Sequence, residues 1–440
     1  MTPETLGLVF MGALLTGIFV GFPICFTLII LSVVFGYIGI GPQVFYLMVF
    51  QTVGMMKEEV LAAVPLFVFM GHMLEQAGLM ERLFKAFQFI FAGLRGSLFL
   101  GVLLTATLFA TATGIIGASV TVIGLLAAPA MMKSRYDVAT SAGVITAGGC
   151  LGILIPPSVM LVLLGPVAGV SVVQLFAAAI IPGLILSGLF ITYVIIKSYV
   201  IKDLGPPLPP EERPTSYLVV AKEFFAGIVP LGAMIFAALG SILAGLATPT
   251  EAAACAATGS VILTALYGRL NWPTLKSAAL KSLQTTAMIM FLAVAANIYG
   301  SVFARLGTAT LITKTMLSLQ VSPLAMIIIL MGVIFVLGWP LEWPAIVLIF
   351  VPIFLPVVHH LGYNLVWFCT LVAVNLQTAF LSPPVAMAAY YLKGVAPDWP
   401  LGKIYRGMME FMVLQCIGLA IVLFFPQVAL WLPKVLFGAH

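Results

Sequence analysis

The sequence GWPLEWP, residues 338–344, interrupts an apolar run from Ser322 to Pro356 in which Glu342 is the only acidic residue. The run holds about 35 residues, whereas about 20 are enough for one helix to cross the hydrocarbon core of a bilayer. Two prolines and a glycine at its midpoint interrupt helical hydrogen bonding. We therefore predict two half-helices that meet at a tip, forming a re-entrant hairpin at about 322–357.

An acidic side chain inside such an apolar run is a candidate functional group. Glu342 is therefore predicted to bind a cation at the tip of the hairpin. A second interpretation is that its carboxylate only caps the second half-helix, and the sequence alone leaves both interpretations open.

Composition assigns the chain to the polytopic membrane proteins. Of its 440 residues, 62% are hydrophobic and 8% are charged, whereas soluble domains carry about 25% charged residues. The apolar start of the chain lacks a basic region, so we expect no cleavable signal peptide. The five cysteines show no metal-ligand spacing, and the common catalytic and nucleotide-binding motifs are missing. We expect no enzymatic activity, no cofactor and no nucleic-acid partner.

The two halves of the chain follow the same pattern. Pro129 and Pro356 lie 227 positions apart, as do Pro156 and Pro383, and such a constant offset indicates an internal duplication. The predicted elements are a hairpin at about 97–132, a broken helix at about 138–170, a hairpin at about 322–357 and a broken helix at about 364–395. The predicted division is a first repeat at 1–196, a Pro-rich cytoplasmic linker at 197–223 and a second repeat at 224–440.

The distribution of basic residues predicts the orientation of the repeats. Lys and Arg cluster around the first hairpin, in the linker and at 269–281 and 393–406, and such loops are cytoplasmic by the positive-inside rule. The loop after the second hairpin instead carries His359 and His360. The hairpins are therefore predicted to enter from opposite sides, as in the inverted-topology repeats of many secondary transporters. Both termini are then predicted to lie outside the cytoplasm.

Four backbone breaks fall at matched positions, two at the hairpin tips and two within the broken helices. Helix ends at such breaks direct free N–H groups toward anions and free carbonyls toward cations. Because hard cations favour oxygen ligands, we predict two related sodium sites, one per repeat, beside a central substrate site. The candidate ligands are Gly114, Gly117, Ser119, Thr121, Pro156, Ser158, Gly338, Glu342, Pro344, Ser382 and Pro383.

The substrate path is predicted from hydroxyl and amide side chains near the breaks. The candidates are Ser119, Ser158, Asn375, Gln377 and Thr378. The last three lie on the helix that leads into the second proline break. For these three, hydrogen bonding between helices is an equally good interpretation.

Two further polar groups receive structural interpretations. Thr248-Pro249-Thr250-Glu251 has the spacing of a helix start with a capping box, so Glu251 is not a functional candidate. His72 and Glu75 lie about one helical turn apart, and we expect them to face a helix interface.

Five motifs give the chain a resemblance to a known family. They are PLFVFMG (65–71), PAMM (129–132), GILIPPS (152–158), ATPTEAAA (247–254) and FLSPPVAMA (380–388). Over nearly its whole length the chain resembles the large membrane subunit of tripartite ATP-independent periplasmic (TRAP) transporters, the DctM-like proteins.

The resemblance implies an all-α, elevator-type transporter in the bacterial inner membrane, in which a mobile domain of hairpins and broken helices moves against a scaffold. It implies sodium symport of a small organic acid that a periplasmic substrate-binding protein delivers. It also implies a separate small four-helix membrane subunit as a partner. The alternative is a stand-alone ion-coupled anion symporter of the same architecture.

The chain departs from the family pattern at both tips. A serine pair common at the first tip is replaced by Ile115 and Ile116, a threonine by Ser119, and the aspartate of the second tip by Glu342. The forms GIIGASVT and WPLEWPAI resemble a branch associated with oxo-acids, mannitol or aromatic acids. Backbone carbonyls at the first tip remain available to coordinate sodium.

Overall fold

The computed structural model describes residues 2–209, 213, 216–383 and 385–438, and within them every regular element is a helix. In the first half the α-helices are α1 (Pro3–Val20), α2 (Ile24–Ile40), α3 (Gln43–Met56), α4 (Ala63–Gln76), α5 (Leu79–Ile90), α6 (Ser97–Thr113), α7 (Ile116–Lys133), α8 (Val138–Cys150), α9 (Val159–Ala168) and α10 (Val172–Val200). In the second half they are α11 (Tyr217–Leu243), α12 (Pro249–Leu266), α13 (Trp272–Arg305), α14 (Thr308–Ser318), α15 (Pro323–Leu337), α16 (Trp343–Ala345), α17 (Val351–His360), α18 (Leu365–Leu376), α19 (Thr378–Leu381), α20 (Met387–Val395), α21 (Leu401–Phe424) and α22 (Gln427–Phe437).

Long apolar helices dominate the described part of the chain. Seven of them are long and apolar enough to cross a membrane, and an eighth span results if α4 and α5, which bend by 62° between Gln76 and Leu79, are counted together. The chain is therefore a multi-pass membrane protein. This confirms the prediction of an all-α polytopic architecture.

The first hairpin consists of α6 and α7, which only Gly114 and Ile115 separate. Gly114 has a φ of +61°, in the left-handed region that glycine adopts without steric cost. The sharp reversal between two apolar helices therefore depends on glycine at this position, where the sequence predicted the break.

The second hairpin has a longer tip than the first. Helix α15 ends at Leu337 and α16 begins at Trp343, so the tip consists of residues 338–342. A π-helical segment, Ile346–Phe350, connects α16 to α17. The predicted hairpin is present, but the sequence gave no indication of the π-helical segment.

Each hairpin is followed by a helix that breaks near its middle, as predicted. Helix α8 ends at Cys150, a 3-10 turn covers Leu151–Ile153, and α9 begins at Val159. In the second half, α18 is followed by the short α19, which ends at Leu381, and α20 begins at Met387. Pro384, part of the predicted proline pair, lies outside the described residues.

Two glycines occupy equivalent bends in the two halves. Gly78 (φ +68°) precedes the short helix α5, and Gly307 (φ +75°) precedes the short helix α14. These glycines lie 229 positions apart, close to the offset of the prolines. The division into repeats stays a prediction. Helix α10 continues to Val200 and α11 starts at Tyr217, so both ends of the predicted linker 197–223 are helical.

The last long helix, α21, packs against the first broken helix, α8. At this contact the two backbones approach so closely that a Cβ on Gly407 would lie 1.8 Å from the carbonyl oxygen of Ala139. Near the end of α10, the Lys197 ammonium lies 2.5 Å from the Glu410 carboxylate and 3.0 Å from the Thr140 hydroxyl. The Tyr193 hydroxyl also donates to Glu410, at 2.9 Å. Helices from the first and second halves of the chain are thereby joined.

Candidate functional site

The first tip contains the N-terminal end of α7. Ile115 is the N-cap residue of α7, and no side chain caps the first N–H groups of this helix. Ser158 is the N-cap residue of α9 and likewise provides no side-chain cap. Gly114 brings the two helix starts together, because a Cβ on it would be in van der Waals contact, 3.5 Å, with the backbone nitrogen of Val159.

The second tip places Glu342 at the start of α16. Its backbone is extended (φ −75°, ψ 155°), and its carbonyl accepts from Ala345, but its side chain forms no capping hydrogen bond. Within the described chain no hydrogen bond or ion pair to the Glu342 carboxylate occurs. The capping interpretation therefore holds for the backbone and not for the carboxylate.

Both tips line one cavity of about 120 Å³, which we call the tip cavity. It lies between the hairpins, the broken helices and the helices α4 and α13. Its lining residues are Val68, Gly114, Ile115, Ile116, Gly117, Val159, Thr285, Met288, Ile289, Glu342, Trp343, Pro344, Phe380 and Tyr391. Of the predicted cation ligands, the cavity thus brings together Gly114, Gly117, Glu342 and Pro344.

The wall of the tip cavity is mainly apolar. Among its lining residues Glu342 carries the only charge, and Thr285 and Tyr391 carry the only hydroxyl groups. The ring of Tyr391 lies so close to the first tip that a Cβ on Gly117 would approach it to 3.2 Å. Glycine at 117 therefore permits the packing of α7 against α20.

Glu342 also borders a smaller cavity of about 50 Å³ behind the second tip. Gly338 lines this cavity, and a Cβ on Gly338 would lie 2.8 Å from the Cβ of Ala379. The second tip is therefore packed against α19, near the second helix break, as the matched breaks of the sequence suggest.

The predicted serines at the helix breaks are buried and bonded to backbone carbonyls. The Ser158 hydroxyl donates to the carbonyl of Ile153, and the Ser382 hydroxyl donates to that of Thr378 at 2.7 Å. Ser119 is buried within α7 and Thr121 is half-buried. These four residues, with Pro156 and Pro383, do not line the tip cavity. Their role in cation binding stays a prediction.

The polar residues proposed for the substrate path are fully buried outside the tip cavity. The Asn375 amide donates to the carbonyl of Met331 on α15 at 2.7 Å, and Gln415 on α21 donates to the Gln377 side chain at 2.7 Å. The Thr378 hydroxyl donates to the Asn375 carbonyl at 2.6 Å. The first two contacts join helices, which is the alternative that the sequence left open.

Several lining residues were missed by the sequence analysis. Val68 on α4 and Thr285, Met288 and Ile289 on α13 belong to helices that only the tertiary fold brings to the tips. Of these four residues, only Thr285 could have been noticed in the sequence, as a hydroxyl residue near the start of an apolar segment.

The structural interpretations of Glu251 and of His72 with Glu75 are confirmed. The capping box joins Thr248 and Glu251 in both directions, and Glu75 bonds His72 and, on α13, Lys281.

A further cavity of about 320 Å³, which we call the flank cavity, lies beside the tip cavity. Three of its lining residues, Leu163, Ala293 and Leu348, each follow a lining residue of the tip cavity by four positions along the same helical segment. Its polar lining includes Glu58, Gln51 and Asn297, whose amide donates to the Gln51 side chain at 3.0 Å.

Comparisons with known proteins agree with this architecture. Residues 8–428 match the family described as the tripartite ATP-independent periplasmic transporter, DctM component. The chain is 29% identical to the sialic acid TRAP transporter large permease protein SiaM of Vibrio cholerae, covering 96% of this chain and 97% of the relative. It is 30% identical to the C4-dicarboxylate TRAP transporter large permease protein DctM of Pseudomonas aeruginosa, covering 85% and 86%.

The fold is similar to that of a solved transporter. The structure of Alcanivorax borkumensis YdaH, whose title reports an unusual topology, superposes with a TM-score of 0.65 at 15% sequence identity and covers 98% of both chains. The family match and the curated relatives together extend over nearly all of the sequence. The chain therefore belongs to the DctM-component family of tripartite ATP-independent periplasmic transporters.

Proposed function

We propose that this chain is the large permease subunit of a sodium-driven importer of a small organic acid. One observation carries the proposal. Both hairpin tips line the tip cavity, and the half-buried lining residue Glu342 has a carboxylate without a hydrogen-bond or ion-pair partner in the described residues. A carboxylate partly shielded from bulk water and left without a partner is costly, so it favours a cation as its counter-charge.

Sodium is a cargo ion in this proposal. Its ligands would be the Glu342 carboxylate and backbone carbonyls at the tips and helix breaks, since hard cations favour oxygen. A cation bound there fixes the tip and adds positive charge to the cavity. By reciprocal linkage, sodium then raises the affinity for an anionic substrate, and the substrate raises the affinity for sodium.

Helix starts would receive the carboxylate of the substrate. Helices α7 and α9 both begin at the tip cavity, at Ile116 and Val159, and neither is capped by a side chain. Free N–H groups at helix N-termini attract anions. Because the lining within the described chain contains no Lys, Arg or His, this backbone contribution and the bound sodium supply the positive potential.

The arrangement of the two cavities supports an elevator movement as part of this proposal. The tips share the tip cavity with Thr285, Met288 and Ile289 of α13, while the flank cavity borders α13 at Ala293 and Asn297. A displacement of four to eight residues along α13, about 6–12 Å, would carry the tips from one level to the other. We propose that this movement exposes the substrate alternately to the two sides of the bacterial inner membrane, with both termini on the periplasmic side.

The proposal includes two protein partners and no enzymatic activity. The curated relatives are named as large permease proteins of TRAP transporters. We propose that this chain likewise works with a small four-helix membrane subunit and receives its substrate from a periplasmic substrate-binding protein.

Uptake into proteoliposomes tests the function directly. Vesicles containing this chain and its small partner subunit would receive a radiolabelled organic acid, with and without an inward sodium gradient and with and without the cognate binding protein. We expect uptake only when both are present. Uptake with sodium alone would indicate the stand-alone symporter instead, and uptake that is independent of sodium would contradict the proposed coupling.

A further inference from the structure

The wall of the tip cavity has a composition that bears on the substrate. Its aliphatic and aromatic side chains come from both tips, from the broken helices and from α4 and α13. They are Val68, Ile115, Ile116, Val159, Met288, Ile289, Trp343 and Phe380. A substrate that enters the cavity therefore exchanges water for apolar surface on most sides, whichever part of it faces the helix starts.

The charge of the cavity limits the substrate to one carboxylate. Glu342 carries the only charge in the described lining, and it is negative. One substrate carboxylate can be received by the starts of α7 and α9 together with a bound cation. A second carboxylate would lose its hydration without gaining a basic partner, and it would be repelled by Glu342.

The hydroxyl groups of a sugar acid would also remain without partners. Only Thr285 and Tyr391 offer side-chain hydroxyls in the described lining. An acid with a hydroxyl on every carbon would bury most of these groups against Ile115, Met288 and Phe380, whose side chains offer no hydrogen bond. A binding site disfavours a ligand when burial leaves polar groups of the site or of the ligand without a hydrogen-bond partner.

From charge and polarity together we infer that the tip cavity accepts a monocarboxylate with an apolar body, and that it disfavours dicarboxylates and hydroxyl-rich acids. This inference rests on the proposed function, because it describes the ligand of the same cavity. It separates this chain from the relatives that are named for sialic acid and for C4-dicarboxylates.

The test compares three acids of six carbons each, so that carbon number is matched. They are 4-methylpentanoate, the dicarboxylate adipate and the polyhydroxylated gluconate. Binding of radiolabelled acid would be measured by equilibrium dialysis on the complex of this chain with its small subunit, in sodium buffer and in choline buffer. The binding protein is omitted because it makes its own selection.

We expect sodium-dependent binding of 4-methylpentanoate at least about tenfold tighter than that of adipate or gluconate. Equal or tighter binding of either polar acid would overturn the inference while leaving sodium-coupled transport intact. If none of the three binds in a sodium-dependent manner, and proteoliposomes show no sodium-dependent uptake of any acid, the proposed function itself fails.

A substitution in the wall of the tip cavity tests whether the selectivity arises there. Ile115→Ser adds a hydroxyl at the first tip, and we expect it to reduce the preference for 4-methylpentanoate over gluconate by about tenfold. Leu125→Ser, on the outward face of α7 and 56% exposed, is the matched control and should leave the preference unchanged. An unchanged preference in Ile115→Ser that elutes as an intact complex would count against the assignment of selectivity to this wall.

Discussion

Glu342 is the residue whose charge the proposed transport cycle depends on. We predict that Glu342→Gln, which keeps the shape of the side chain and removes the charge, raises the sodium concentration needed for half-maximal uptake about tenfold, or about 1.4 kcal/mol. The measurement is initial uptake against sodium concentration in proteoliposomes. Glu251→Gln is the control, because that carboxylate is exposed and serves only a capping box. An unchanged sodium dependence in Glu342→Gln would exclude this carboxylate from coupling.

The ion pair between Lys197 and Glu410 gives a prediction for stability. The Lys197 side chain is 16% exposed and that of Glu410 29% exposed, so both charges are partly removed from water. We expect Glu410→Gln to destabilise the chain by about 1–3 kcal/mol, because the ammonium loses its charged partner.

The contrast for this prediction is an exposed pair. Glu81 and Arg269 are 54% and 50% exposed, and such pairs contribute about 0–1 kcal/mol. Thermal unfolding in detergent should therefore separate Glu410→Gln from Glu81→Gln. Equal shifts of the midpoint in the two variants would refute the distinction.

At the level of single residues, the sequence identified those lining residues of the tip cavity whose signal is local. Glu342 stands alone in an apolar run, and Gly114 stands at a required reversal, so both were identifiable. Val68 and Ile289 were not, because ordinary apolar residues acquire a role only when tertiary packing brings α4 and α13 to the tips. Asn375 was noticed in the sequence, but its role was not decided there, because a polar residue in an apolar helix can bind a ligand or form a hydrogen bond to another helix. The structure shows the hydrogen bond to another helix.

At the level of elements, the contact between α8 and α21 yields a sharp prediction. A methyl group on Gly407 would meet backbone atoms of α8, the nearest at 1.8 Å, and backbone cannot move aside as a flexible side chain can. We expect Gly407→Ala to force the helices apart at a cost of about 1–3 kcal/mol or more.

Gly402→Ala is the control for this substitution. It lies on the same helix, and a Cβ there would have no atom within 4 Å. We expect it to be neutral or slightly stabilising, since alanine favours helix. Thermal unfolding and elution profiles in detergent measure both variants, and similar behaviour of the two would contradict the close contact.

The hairpins and breaks were predictable from sequence because proline and glycine act on their own backbone. Helix α3 was not, since 14 residues are too few to span a bilayer and carry no distinguishing pattern. The π-helical segment after α16 depends on packing around the second tip, which the local sequence does not specify.

At the level of the whole molecule, the predicted duplication rests on the constant offset of the prolines and the similar offset of the two bend glycines. The packing of the helices of one half against those of the other could not be predicted from the sequence. The pairing of α8 with α21 and the approach of α13 to both tips are contacts over long sequence separations. No local pattern encodes them, so the location of the tip cavity required the structure.

The proposed movement along α13 predicts a change at the flank cavity. Gly54 lines this cavity, and a Cβ on it would have no atom within 4 Å, so Gly54→Cys should fold normally. In a background without the five native cysteines, we expect sodium plus a transported acid to change its labelling rate by a membrane-impermeant thiol reagent about tenfold.

Gly93→Cys, in the turn between α5 and α6, is the matched control, because it is also exposed and its Cβ would likewise have no atom within 4 Å. Its labelling rate should not respond to sodium or to the acid. If both variants label at rates that sodium and substrate leave unchanged, the tips do not move past the flank cavity during transport.

The two hairpin tips differ in length, so ordering them costs different amounts of conformational entropy. Two residues connect α6 to α7, whereas five connect α15 to α16. Fixing the backbone of one residue costs about 1–2 kcal/mol in conformational entropy at 25 °C. In the proposed cycle, a cation that orders the five-residue tip would have to offset a larger loss of conformational entropy than one that orders the two-residue tip. For equal affinity at the two proposed sites, binding at the second tip would then be the more exothermic, and warming would weaken it more.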